Sequence, residues 1–287
     1  MYADDLQLYT QCSLFDLHNS VKTMNADLKS IADWSNKYGL SINPSKTQAI
    51  IIGSPQLIAK VDWTAIPSIQ INNTPIPYSA TAKNLGLHFD QTFSWTVQLN
   101  AVRKKMFGVA ASLRRLRNIL PIPTKIALAQ SLLFPILDYA DVCYPDLTEC
   151  QLNSLERLQN LCIRFIFGLR KYDHISEFRA RLKWFPIRLR RNTHILHLLY
   201  SILFDPKTPP YLKQNFSYVS SNHSLALRSS NNLTLSFPHH HSKFFHSSFT
   251  VTAISLWNAL PEVVRRAQSL PIFKKELRNH YASLSQD

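Results

Sequence analysis

A chain of 287 residues with 45% apolar and 17% charged residues has room for one large or two ordinary domains with real cores, which excludes a disordered chain. Its net charge of +14 and pI near 9.7 make nucleic acid or an anionic membrane surface the first partners to consider. Only 5 glycines are present and no G-x-G-x-x-G or G-x-x-x-x-G-K pattern occurs, which excludes a glycine-rich phosphate loop.

The apolar residues Leu17, Val21, Met24, Leu28, Ile31, Trp34 and Tyr38 fall at three-and-four spacing, predicting an amphipathic helix capped by Gly39. Residues 47–52 form a β-branched run and predict a strand. Ile69-Gln70-Ile71, then Asn72-Asn73, then Pro77-Tyr78 predict a hairpin around an asparagine turn, and residues 84–90 predict another strand. After Phe93 the pattern becomes helical. Trp95, Leu99, Val102, Met106, Val109, Leu113 and Leu116 line one face, with basic residues between them, until Pro121 and Pro123 end the helix. Further helical patterns cover residues 124–138, kinked by Pro135, 148–167, capped by Gly168, and 187–204. Residues 205–246 are rich in Ser, Asn, His and Pro and predict a long loop; helical patterns return over 251–260 and 272–284.

The positive charge is clustered. Arg103, Lys104, Lys105, Arg114, Arg115 and Arg117 fall in one stretch without an acid. A second stretch holds Arg164, Arg170, Lys171, Arg179, Arg181, Lys183, Arg188, Arg190 and Arg191 against only Asp173 and Glu177. Solvated faces mix both signs, so these runs point to a polyanion partner, although basic runs are often merely solubilising. Cys12, Cys143, Cys150 and Cys162 show no C-x-x-C spacing and read as reduced, intracellular thiols. A zinc site from Cys143, Cys150, Cys162 and His174 is outweighed by a buried thiol at Cys162, which sits on the apolar face of its helix. No signal peptide is visible, and the apolar stretch 126–137 is too short for a bilayer; the expected setting is soluble, in nucleus or cytoplasm, without a membrane partner.

Tyr2-Ala3-Asp4-Asp5 carries the chemistry. Adjacent carboxylates on a tight turn hold divalent cations, and two metals about 3.5–4 Å apart clamp the attacking and leaving oxygens of phosphoryl transfer. A bare Asp-Asp pair is common, so its meaning rests on the residues downstream of it. Residues 2–9 resemble the YADD box of non-LTR retrotransposon reverse transcriptases, the jockey-like elements in particular. Trp34 with residues 39–47 resembles the next block of that family, and Asn84-Leu85-Gly86-Leu87-His88-Phe89-Asp90 resembles the block that closes the palm and positions the primer end. Tyr139-Ala140-Asp141-Val142, Leu155-Glu156-Arg157-Leu158-Gln159-Asn160, Asp173-His174-Ile175, residues 182–188, Pro209-Pro210-Tyr211-Leu212, Leu227-Arg228-Ser229, residues 256–261 and Phe273-Lys274-Lys275 come next in family order.

That resemblance implies an α+β fold: a partial palm of one helix and short antiparallel strands over residues 1–92, a helical thumb and connection over 93–204, a polar loop over 205–246 and a C-terminal helical unit over 247–287. It implies RNA-directed DNA polymerase chemistry with two Mg²⁺ ions, RNA template and DNA primer as partners, and Asp4 and Asp5 at the metals. Lys46 would protonate the leaving pyrophosphate, its bland alternative being a surface lysine. Leu85 and Gly86 would be primer-grip-like, and Arg103, Lys104, Lys105, Arg114, Arg115, Arg117, Arg188, Arg190 and Arg191 would contact nucleic acid. The family places another palm aspartate and the fingers before the YADD turn, so the 287 residues are expected to bind nucleic acid but not to polymerise alone. The alternatives are a non-catalytic basic helical module and a non-functional transposon relic. Trp184 and Phe185 read as a core plug with arginines outside rather than as base-stacking residues, and His239, His240, His241 and His246 as a solvated tract.

Overall fold

The computed structural model describes residues 5–222, 233–239 and 242–284. The fold is α+β, helices with two small antiparallel sheets, and it divides into two compact units, Met1–Ala101 and Val102–Asp287.

In the first unit, α1 (Leu17–Lys37) is the predicted amphipathic helix, and Gly39 follows it at φ 71°, the left-handed conformation that suits a residue without Cβ. A short α2 (Pro55–Ile58) starts on Ser54, whose hydroxyl accepts from the Leu57 N–H. The asparagine hairpin is present as β1 (Ile69–Ile71) and β2 (Thr74–Ile76), with Ile69 opposite Ile76 and both turn residues at positive φ, Asn72 at 49° and Asn73 at 62°. Val21 on α1 packs with Ile69, Ile71 and Ile76 to make this unit's core. The Asn25 side chain locks helix to strand, donating to the Ser68 carbonyl (3.0 Å) and accepting from the Gln70 N–H (3.0 Å).

Two strand expectations are corrected. Residues 84–90 do not run as one strand: β3 (Thr81–Asn84) turns through Leu85 (φ 46°) and Gly86 (φ 82°) into β4 (Leu87–Asp90). The glycine lets the chain reverse within two residues. Residues 47–52 make no ladder, only a bridge from Ala49 to Tyr78; the Gln48 side chain accepts from the Lys83 N–H, and the Ala49 carbonyl accepts from the Ser79 N–H.

Helix α3 (Thr96–Arg114) buries Leu99, Val102, Met106, Ala110 and Leu113, the three-and-four stripe, while Leu116 lies beyond its end and is exposed. In the second unit α4 (Ile122–Leu128) passes through a π-helical turn, Ala129–Leu133, into α5 (Phe134–Asp138). Pro135 explains the π turn: it lacks the N–H that would bond the Ser131 carbonyl, and its ring would strike that carbonyl in a regular helix. Helix α6 (Glu149–Phe167) begins with a capping box in which Thr148 and Gln151 satisfy each other's N–H groups, and it ends at Gly168 with φ 70°. Next come α7 (Ser176–Leu182), which periodicity did not reveal, and α8 (Ile187–Phe204). Within 205–246 the described residues hold α9 (Pro210–Lys213), α10 (Val219–Asn222), α11 (Lys243–His246) and a bridge between Tyr218 and Leu235. The chain then makes α12 (Phe249–Asn258), α13 (Glu262–Arg265) and α14 (Leu270–Leu284).

Residues 247–287 are not a unit of their own. Ile195, Leu196, Leu199 and Tyr200 of α8 share one core with Ile254 and Trp257 of α12 and Phe273 and Leu277 of α14. The segment Ile122–Cys143 is longer than its apolar stretch suggested and has the length and composition of a membrane span, mean hydropathy 1.4. It carries Asp138 and Asp141, both bonded to α8, and its Ala129, Leu133, Phe134 and Leu137 are buried in this unit.

Phe273 is fully buried, stacked on Tyr200 (4.5 Å) and near Trp257 (5.8 Å). Phe273→Ala is expected to lower unfolding free energy by roughly 3–5 kcal/mol in urea titration, and a loss below about 1 kcal/mol would show that the site is not core. His197 of α8 meets Phe273 edge-on, and its buried Nε2 has no partner among the described residues. Burial, with the charges of Lys274 and His194, pushes its pKa down to about 4 from 6.5. The unfolded chain therefore takes the proton first, so this contribution is complete above pH 6.5 and is lost as pH falls towards 4, at a cost of about 2–3 kcal/mol. The urea midpoint of His197→Gln should fall less than that of the parent across this window; parallel curves would refute the assignment.

Candidate nucleic-acid interface

Of the catalytic pair, Asp4 lies outside the described residues, and Asp5 is an exposed side chain. Two residues on, the Gln7 side chain accepts from Asn84 Nδ2 (2.9 Å), which sets the segment after the Asp-Asp pair beside the turn of the β3–β4 hairpin. Leu85 and Gly86 are the turn of that hairpin, and Leu85 is half exposed. Lys46 is exposed on a turn built by Asn43, whose Oδ1 accepts from both the Ser45 N–H and its hydroxyl. No ion pair joins Lys46 to Asp5 among the described residues. Asp90 is spent locally: burial alone would raise its pKa, but bonds from Ser94 and Thr92 outweigh that and hold it below the usual carboxylate value. Among the described residues no other metal-ligating side chain joins Asp5, and its expected companion Asp4 lies outside them.

The first basic run is different in kind. Arg103, Lys104, Lys105 and Arg114 project from α3, and Arg115 and Arg117 from the turn after it. All six are exposed, and none forms an ion pair among the described residues. The spacing dictates this: with Val102, Met106 and Leu113 turned inward, positions 103, 104, 105, 114 and 115 must turn outward. Gly108, Ala111 and Ser112 lie among them and are exposed, so the helix surface there is low and a backbone phosphate can approach. Arg103 also covers the half-exposed Phe107 ring at 5.8 Å.

The second run is divided: Arg170, Lys171, Arg181, Lys183 and Arg188 are exposed, whereas Arg179, Arg190 and Arg191 are engaged inside the protein, which corrects the expectation for Arg190 and Arg191. Arg191 is 4% exposed and donates from Nη2 to the carbonyls of Asp141 (2.8 Å) and Tyr144 (2.6 Å), with its guanidinium 4.6 Å from the Tyr144 ring centroid. Arg190 grips Asp138 with a two-pronged fork, Nε to Oδ1 at 2.7 Å and Nη2 to Oδ2, and lies over Phe134. Arg188 is exposed and paired with Glu149. Arg179 pairs with Glu156 and Asn160, while the other Glu156 oxygen accepts the Ile187 N–H (2.7 Å) at the start of α8.

Sequence reading missed one polar cluster. Asp138, Asp141 and His194 place ligand atoms within 4.8 Å of one another, and His194 Nδ1 lies 2.7 Å from Asp141 Oδ2. Two carboxylates and an imidazole are a donor set that a divalent cation accepts. Here the Arg190 fork already occupies both Asp138 oxygens, and a dication would sit beside two guanidinium groups. The cluster is a lattice of one ion pair and several hydrogen bonds that fastens α5 and the turn after it to α8. The signal was available: Asp138 and Asp141, three residues apart, close an otherwise apolar stretch, and Arg190 and His194 lie four apart on one face of a later helix.

Cys162 is a buried thiol that donates to the Leu158 carbonyl, and burial pushes its pKa up to about 12. Burial and then the charge of Asp141 also raise that of Cys143, so neither thiol favours the thiolate that binds zinc. Trp184 packs on Phe134 (4.4 Å) and Phe185 on Tyr281 (6.2 Å), as the plug reading requires. His240 and His241, with Leu227, Arg228 and Ser229, lie outside the described residues.

No family model, no curated protein and no solved structure matches this chain.

Proposed function

We propose that the chain is part of a non-LTR retrotransposon reverse transcriptase and that its contribution is to hold nucleic acid, RNA template or DNA primer, on the basic face of α3. One observation carries the binding half of this reading: six exposed cations on one helix and its following turn, with no acid among them and no ion pair among the described residues. Each would be a stabilising neighbour for an acid, and the absence of one leaves a surface whose own repulsion a polyanion relieves. The ordered blocks from Tyr2 to Lys275 supply the family half. Mg²⁺ chemistry belongs to the intact enzyme in this proposal, because Asp5 stands without companion ligands among the described residues. A non-catalytic basic binding module is the second reading, favoured by the same α3 face, and it predicts the same binding.

Binding of labelled oligonucleotides tests the proposal. If the six cations neutralise phosphates, log affinity for a single strand falls with log salt at a slope of about −4. The variant Arg103→Glu/Lys104→Glu/Lys105→Glu should bind more than tenfold more weakly and lose about 2 from the slope. Parent protein that ignores RNA and DNA at low salt would sink the reading. A primer-extension assay on the same chain with Mg²⁺ or Mn²⁺ is expected to show no incorporation; template-dependent extension that disappears in Asp5→Ala would restore a working metal site.

A further inference from the structure

The turn between α6 and α7 carries a second exposed basic stretch, and an exposed aromatic ring stands within it. Gly168 ends α6, and the chain then folds into a tight loop: the Arg170 N–H donates to Asp173 Oδ2 (2.7 Å), and the Asp173 N–H donates back to the Arg170 carbonyl (3.3 Å). Arg164 Nε donates to that same Arg170 carbonyl (3.1 Å), tying the loop to the body of α6. The one acid of the loop is thus engaged by backbone. What the loop presents is Tyr172, 86% exposed, with Lys171 Nζ 5.3 Å from its ring centroid. Arg170, Lys171 and Arg181 are exposed and form no ion pair among the described residues, and Arg181 lies over Phe167 (5.2 Å), the last residue of α6.

A tyrosine ring left in water forfeits the burial that aromatic side chains usually gain. Here it stands on a loop pinned by three hydrogen bonds, among cations that do not neutralise one another. The two features call for one ligand that is both anionic and flat-faced. A duplex has the charge, but its base faces are stacked against each other. An unpaired strand offers both, a base for the ring and phosphates beside it for Arg170 and Lys171, the two residues before it in the chain. We infer that the α6–α7 turn is a binding point for single-stranded nucleic acid, with Tyr172 as the platform on which one base stacks. This inference rests on the proposal that the chain holds nucleic acid and adds to it a strand state and a residue.

The experiment uses the full chain with four labelled oligonucleotides of one length: single-stranded RNA, single-stranded DNA, RNA–DNA hybrid and duplex DNA. Tyr172→Ala is expected to weaken single-strand binding by about tenfold and to leave both duplexes unchanged, while Tyr172→Phe, which keeps the ring, binds as the parent does. The exposed position means that the thermal midpoint should not move in either variant. A loss on RNA alone, on DNA alone or on both identifies which strand the turn takes, and each supports the inference. Unchanged single-strand binding in Tyr172→Ala, or an equal loss on duplexes, overturns it. If the α3 triple variant is defective while Tyr172→Ala is not, the α3 reading stands and this one falls; if the parent binds none of the four, both fall.

Discussion

Arg191 gives up nearly all its water, and a guanidinium that does so must find replacement acceptors or cost several kcal/mol. It finds the Asp141 and Tyr144 carbonyls, one on each side of a short 3₁₀ turn, Asp141–Cys143, entered through Ala140 at φ 52°. Those bonds hold the turn after α5 against α8. Arg190 and His194, the neighbour of Arg191 and the residue one helical turn on, meet Asp138 and Asp141, so three contacts within about one turn fix where α8 begins its path. The apolar half of the same helix, from Ile195 to Tyr200, then receives α12 and α14. The charged contacts add positional specificity more than stability, since a buried ion pair recovers little beyond its desolvation cost. Stability comes from the aromatic set of Tyr200, Trp257 and Phe273.

This division separates two kinds of positive charge that composition merges. The Asp138–Arg190 and Glu156–Arg179 pairs, and the buried Arg191, are internal ties. The α3 cations and those of the α6–α7 turn form no ion pair among the described residues. A net charge of +14 thus understates the contrast, because these exposed cations are unpaired among the described residues while the interior contacts are balanced.

Periodicity and cap residues made most helices legible. The α1 stripe, the asparagine turn at Asn72-Asn73, the Thr148 capping box and the Gly168 terminus are local signals, each satisfied within a few residues. The rest depended on distant partners. Residues 47–52 have strand composition, yet a ladder needs a neighbour in register, and only Ala49 has one. The 84–90 block reads as a strand by composition, and only the left-handed geometry of Leu85-Gly86 reveals the turn inside it. Arg190 and Arg191 looked like the α3 arginines in sequence because the acids and carbonyls that claim them lie some 50 residues earlier. The Asp-Asp pair was the plainest motif to read; Asp4 lies outside the described residues, and Asp5 is an exposed side chain.

Aromatic residues beside cations occur at both Trp184 and Tyr172, and geometry assigns them opposite tasks. Trp184 lies against Phe134, whose ring also takes the Arg190 guanidinium at 4.3 Å, so ring, ring and cation satisfy one another and nothing is left to offer. Tyr172 has the ammonium of its own chain neighbour over its ring and otherwise faces solvent. A lysine so placed is held weakly, at about 0.5–1 kcal/mol for an exposed contact. A phosphate that draws Lys171 aside and a base that takes its place on the ring would replace that contact with two stronger ones. On the proposed reading the α3 surface would act differently: an attraction from its charge alone is long-ranged, screened by salt and indifferent to base identity. Charge on α3 can gather a strand from a distance, whereas only an exposed ring such as Tyr172 can distinguish an unpaired base from a stacked one.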